Sequence, residues 1–168
     1  MKIFLAVLAG IFLGSAAGIG IFYHNELKNF RAAYWEYPPI VVDCTFGALD
    51  EKRLNSAIDF WRDHDHYILF VELNPTNSMC NHDQLHGFII IKNATLTYNV
   101  LGVTSRYTNM KGHINSALIE VNAGDANLER LLEHELGHAF GYRHLNIDNH
   151  IMHSDYDASG WEFWDDGE

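Results

Sequence analysis

The sequence predicts an α/β domain with a mostly parallel sheet, on two observations. Five short runs rich in Val, Ile and Leu are separated by turn residues, and two stretches of helical period fall among them, one after the first run and one after the last. Strands alternating with helices in this way bury the apolar face of each helix against the sheet.

The elements come in chain order. Pro38-Pro39 closes a stretch over 25–37 that mixes charge with aromatics, and residues 40–46, rich in Val and Ile, read as the first strand. Leu49, Leu54, Ile58 and Trp61 then recur at helical spacing. Residues 67–73 read as a second buried strand closed by Asn74-Pro75, and 88–91 as a third, with a loop over 74–87 between them. Residues 101–108 are more polar and suit a sheet edge, and 117–122 form a fifth run before Gly124-Asp125 turns the chain. Leu128, Leu131, Leu132, Leu136, Ala139 and Phe140 fall on one side of a second helix, with Asp125 or Asn127 placed to cap its start.

Composition narrows the function classes. A formal charge of -11 and a pI near 5.3 exclude the basic face that a nucleic-acid binder needs. Residues 3–23 carry no charge, a length that crosses a bilayer core as a helix; residues 3–13 followed by Ser15-Ala16-Ala17 also fit a cleaved signal peptide. Either reading exports the rest of the chain, with a membrane as partner in the first. The two cysteines, Cys44 and Cys80, admit one pairing; a disulfide is expected in an exported chain, and two buried thiols are the alternative. Eleven histidines make a metal site worth locating.

Residues 134–144 locate it: His-Glu-Leu-Gly-His-Ala-Phe-Gly-Tyr-Arg-His, an extended HExxHxxGxxH. His134 and His138 lie four residues apart on one helix face, so both imidazoles can reach a single ion. A zinc site of the catalytic kind takes three protein ligands and keeps one position open, and a continuous helix would carry later residues away from the metal. Gly141 can adopt the left-handed conformation that ends a helix, which lets His144 return as third ligand. Glu135 adjoins the first ligand at a different angle and is placed as general base towards a zinc-bound water, whose pKa zinc lowers from about 15.7 towards about 7. The expected cofactor is one Zn2+, and the expected reaction is hydrolysis of a peptide bond without a covalent intermediate.

On this motif the sequence resembles the metzincin metallopeptidases, and within them the small bacterial, matrixin-like catalytic domains. Their second mark is a methionine in a tight turn beneath the metal, and Met152, in Ile151-Met152-His153, is similar to it. The resemblance spans residues 38–155. It implies a five-stranded, mostly parallel twisted sheet with an antiparallel edge strand, two long helices, the Met-turn and a short C-terminal subdomain. It also implies a cleft in which extended peptide pairs with the edge strand, here 101–108. The expected organisation is an anchor or signal peptide over 1–24, a linker over 25–37 and a catalytic domain over 38–168.

The chain departs from the family at several points. Cys44 lies in the first strand, so latency through a cysteine on the metal is not expected. Where many members carry tyrosine just after the methionine, this chain has His153 and Ser154, with Tyr156 the nearest substitute as an oxyanion stabiliser or else a packing residue. His64-Asp65-His66 and His82 with His86 invite a second metal, against a reading as solvated loop histidines. For the acidic aromatic tail from Trp161, covering the C-terminal subdomain is a sufficient reading, with binding of a partner as the alternative. The leading function is a zinc endopeptidase acting on proteins or peptides; a zinc amidase or peptidase on cell-wall peptides and a non-catalytic zinc-containing binding module are the alternatives.

Overall fold

The computed structural model describes residues 30–165, apart from 74 and 76. The expected anchor or signal segment, 1–24, lies outside them. Among the described residues no helix is long and apolar enough to cross a membrane.

Among the described residues, six strands and three helices run in the order β1 (Tyr34–Trp35), β2 (Ile40–Cys44), α1 (Glu51–Asp63), β3 (Val71–Glu72), α2 (Asn77–Cys80), β4 (Phe88–Ala94), β5 (Gly102–Thr108), β6 (His113–Asn122) and α3 (Leu131–Ala139). The sheet runs β1-β6-β4-β2-β3, all parallel, and β5 pairs antiparallel with β6. The mostly parallel α/β expectation therefore holds at the level of class, with six strands rather than five.

Alternation along the strands explains how the sheet is covered. Val41, Ile89, Ile91, Ala117, Ile119 and Val121 point to one face, where they meet Leu54, Ile58 and Trp61 of α1 and Leu132, Leu136 and Ala139 of α3 in the main core. Val42, Cys44, Ile90 and Leu118 point to the other, where Cys80, Met79 and Leu85 cover them. The smaller core is cross-linked by the Cys44–Cys80 disulfide, so the bridged reading of the two cysteines is the correct one. It closes a loop of 36 residues, and a chain-entropy argument puts its contribution at about 2–4 kcal/mol. Reduction, or the double change Cys44→Ser and Cys80→Ser, is expected to lower the urea-unfolding free energy by about that much. An unchanged midpoint would mean that the bridge lies outside the cooperative unit.

Four expectations need correction. The stretch 25–37 is not a plain linker over its described part: Phe30 is buried, Tyr34–Trp35 pairs with His113 and Ile114 of β6, and Trp35 Nε1 donates to Ala139 O at 2.9 Å. Apolar and aromatic side chains ahead of Pro38 thus complete the core. The strand expected over 67–73 shrinks to Val71–Glu72, because its first half runs beside Pro39, which accepts from Leu69 N at 2.8 Å but has no N–H to return. The loop over 74–87 contains the short helix α2, held by its disulfide.

The last helix starts later than Asp125 or Asn127 would cap it. Arg130 takes a left-handed φ of 67° as the residue before α3, which breaks the helical path from Leu128. Asn127 instead receives Asp50 N at 2.8 Å and donates to Ala48 O at 2.9 Å, bracing the entry to α1. The two long helices are then locked together. Glu133, fully buried, is paired with Arg53 through both terminal guanidinium nitrogens, Arg53 Nε donates to Leu128 O, and Trp61 Nε1 donates to Glu133 O at 2.8 Å. A buried charge of this kind persists only with its partner in place.

A candidate metal centre on the last helix

Helix α3 presents His134 and His138 one turn apart, and the chain then reverses at Gly141, whose φ is +106°. A Cβ at Gly141 would stand 1.9 Å from Ala33 O, so both the backbone angle and the closeness of the N-terminal segment require glycine. The reversal brings His144 back over the helix. His144 Nε2 lies 3.3 Å from His134 Nε2 and 3.1 Å from His138 Nε2. These three residues form the one group of metal-ligating type among the described residues, and they could hold a metal ion.

The other ring nitrogens are accounted for. His134 Nδ1–H donates to Ile151 O at 2.8 Å and His138 Nδ1–H to Tyr142 O at 2.9 Å, which leaves each Nε2 as a lone pair aimed at the cluster. Burial, first among the causes, lowers the pKa of His134 to about 4 and of His138 to about 3, with neighbouring histidines adding to the effect. His144 is shifted down for the same reason. All three are neutral at pH 7 and able to ligate.

Glu135 is buried beside them. Its Oε2 accepts a 2.6 Å hydrogen bond from Thr104 Oγ1 on β5, and the same hydroxyl lies 3.1 Å from Glu135 O. Burial raises the Glu135 pKa to about 7, against the opposing pull of the Thr104 bond. The backbone of β5 comes so close that a Cβ at Gly102 would stand 2.7 Å from Glu135 Oε1. No motif pointed to Thr104 or Gly102; the only sign was the placing of their strand at the sheet edge.

Met152 is fully buried in a turn beneath α3, and a Cβ at Gly137 would meet its Sδ at 2.3 Å. Gly137, midway between the two helical histidines, is thus the contact point between helix and turn. The turn is pinned by Leu145 N donating to Met152 O at 2.9 Å and by buried His150, whose Nδ1 accepts from Met152 N at 3.1 Å while its Nε2 meets Trp164 O at 3.2 Å. The aromatic tail packs beside this turn, with Phe163 on Tyr142, Trp61 and His150.

The C-terminal carbonyls of α3 are also satisfied by distant side chains. Arg106 of β5 donates to His138 O at 2.7 Å and to Tyr142 O at 3.0 Å, and Arg31 to Phe140 O at 3.4 Å. The cluster opens on a cleft of about 1090 Å³ between β5 and the segment 153–159.

The remaining histidines do not gather into a second centre among the described residues. His66 is buried against Phe140 and donates from Nε2 to Tyr142 Oη at 3.0 Å, while Tyr142 donates on to Asp165 Oδ2 at 2.5 Å. His64 Nδ1 donates to Phe60 O, and His82 and His86 are exposed. Tyr156 lines the cleft, but its hydroxyl donates to Glu129 O at 2.7 Å and its ring carries the Arg130 guanidinium at 4.7 Å, so it holds the turn before α3. No family model matches the chain, and no curated protein matches it.

Proposed function

We propose that this protein is a zinc metalloendopeptidase of metzincin type, with His134, His138 and His144 as ligands, Glu135 as general base and Met152 as the Met-turn residue. The observation that carries the reading is the meeting of three Nε2 lone pairs with one buried carboxylate at the floor of an open cleft. Zinc fits the donor set. Tetrahedral Zn–N bonds of about 2.0–2.1 Å place neighbouring nitrogens about 3.3 Å apart, near the two separations that His144 makes. Three imidazoles leave a fourth position for substrate, and among the described residues neither a fourth protein ligand nor a second acid joins the cluster.

Zinc, when bound, supplies a Lewis acid that polarises a peptide carbonyl and acidifies water. The chain's own residues do the rest. Glu135, with a pKa near neutral through burial, can take a proton from the attacking water and return it to the leaving amine. Thr104 fixes which way that carboxylate faces, and Ile151 and Tyr142 fix the tautomers of His134 and His138. The side of β5 away from β6, unpaired among the described residues, forms one wall of the cleft, a backbone edge that an extended peptide can join. A disulfide supports placement outside the cytoplasm, in keeping with an anchor or signal segment over 1–24.

Zinc content and cleavage of an unstructured protein such as casein test the proposal. One zinc per chain, activity lost to a chelator and regained with added zinc are expected; absence of bound zinc sinks it. A finer test is Gly102→Ala. The added methyl group displaces the Glu135 carboxylate, and kcat/KM is expected to fall about tenfold or more with zinc content and melting temperature nearly unchanged. Unaltered activity would show that Glu135 need not stay where Thr104 holds it.

A further inference from the structure

Two arginines meet at the end of the cleft where α3 stops. Arg106, on β5, spends one guanidinium nitrogen on the carbonyls of His138 and Tyr142. Arg143, exposed and adjacent to His144, donates its backbone N–H to Phe30 O at 2.8 Å. Both side chains line the cleft, and burial followed by the positive charge of Arg143 depresses the pKa of Arg106. Arg53, Arg62 and Lys92 each have a carboxylate partner. Among the described residues, neither Arg106 nor Arg143 forms such a pair. Two like charges held together without a counter-ion, at the mouth of a site, leave the counter-ion to the ligand.

Asp155 and Asp157 also line the cleft, so its charge is not uniform. An acidic group entering it is drawn to the arginines rather than to these carboxylates.

We infer that Arg143, seconded by Arg106, is a specificity determinant that selects peptides carrying a carboxylate side chain at one position beside the scissile bond. This deepens the peptidase reading and rests on it for the substrate being a peptide. Arg106 is committed to the helix end and is a positioning residue as well; Arg143 is free to bind, so the test is made on Arg143.

The experiment uses the Glu135→Gln chain with zinc and measures binding of fluorescein-labelled peptides of one extended sequence, in which a single Glu or Gln is moved through each position. At one position the Glu peptide is expected to bind roughly tenfold tighter than its Gln counterpart, the range of one charge-assisted hydrogen bond. Adding Arg143→Gln removes most of that preference, and Arg143→Glu turns it towards a Lys peptide. Equal affinity for Glu and Gln at every position, no measurable binding included, overturns the inference, as does a preference untouched by Arg143→Gln. Hydrolysis by the unaltered chain is scored separately. A Glu preference without cleavage would retire the peptidase reading and leave the anion site standing; cleavage without the preference would do the reverse.

Discussion

Replacing Glu135 with glutamine is expected to lower kcat/KM for peptide hydrolysis by about 10²–10⁴-fold while one zinc remains bound per chain. The two side chains are nearly isosteric, so the amide can still accept from Thr104 Oγ1 and fit against the backbone of Gly102. What it loses is the ability to hold a proton. That ability is what the site tunes, since burial, outweighing the Thr104 hydrogen bond, raises the carboxyl pKa from 4.5 to about 7. The ligands are untouched, because Glu135 is not among the three groups whose nitrogens converge. Metal content by mass spectrometry and initial rates on one labelled peptide decide the matter together. A variant within tenfold of the parent in rate would remove Glu135 as the base, whereas loss of both zinc and rate would show a structural effect instead.

The second large effect is expected at Gly141. Alanine there is strained by the +106° φ and drives its methyl group into the backbone of Ala33, with the carbonyl oxygen at 1.9 Å and its carbon at 2.8 Å. No rotamer change relieves a clash with main chain. The segment would have to break Ala32 N–H to Gly141 O or Arg143 N–H to Phe30 O, two backbone bonds that tie residues 30–32 to the end of α3. A loss of about 3 kcal/mol or more in unfolding free energy is expected, together with weaker zinc binding, because His144 reaches the cluster only through this reversal. Denaturant unfolding and a zinc-competition titration measure the two. Unchanged stability would mean that the N-terminal segment is not closely packed here.

Local pattern alone carried much of this protein. The strand runs, the apolar stripe of α3 and the eleven-residue motif depend on spacings of two, three or four residues, and spacing within one element survives whatever the rest of the chain does. The histidine cluster was legible for the same reason, since helix pitch pairs His134 with His138 and a glycine stop returns His144. Even so, the start of α3 was misplaced, because Arg130 takes a left-handed angle that its side chain does not announce.

Meetings between distant residues belonged to tertiary structure. Thr104 reaches Glu135 only because β5 pairs with β6 in a register that lays its start over α3, and Gly102 matters only because that approach is so close. His66, one of a suggestive His-Asp-His triplet, becomes a core residue once Phe140 and Tyr142 arrive beside it from over 70 positions away. Phe30, Tyr34 and Trp35 become part of the fold when the sheet and the end of α3 offer them partners, although their own stretch shows no period. A short-range pattern states which residues are apolar or able to ligate; which of them meet is set by sheet register and by the backbone hydrogen bonds that each chain reversal leaves to be filled.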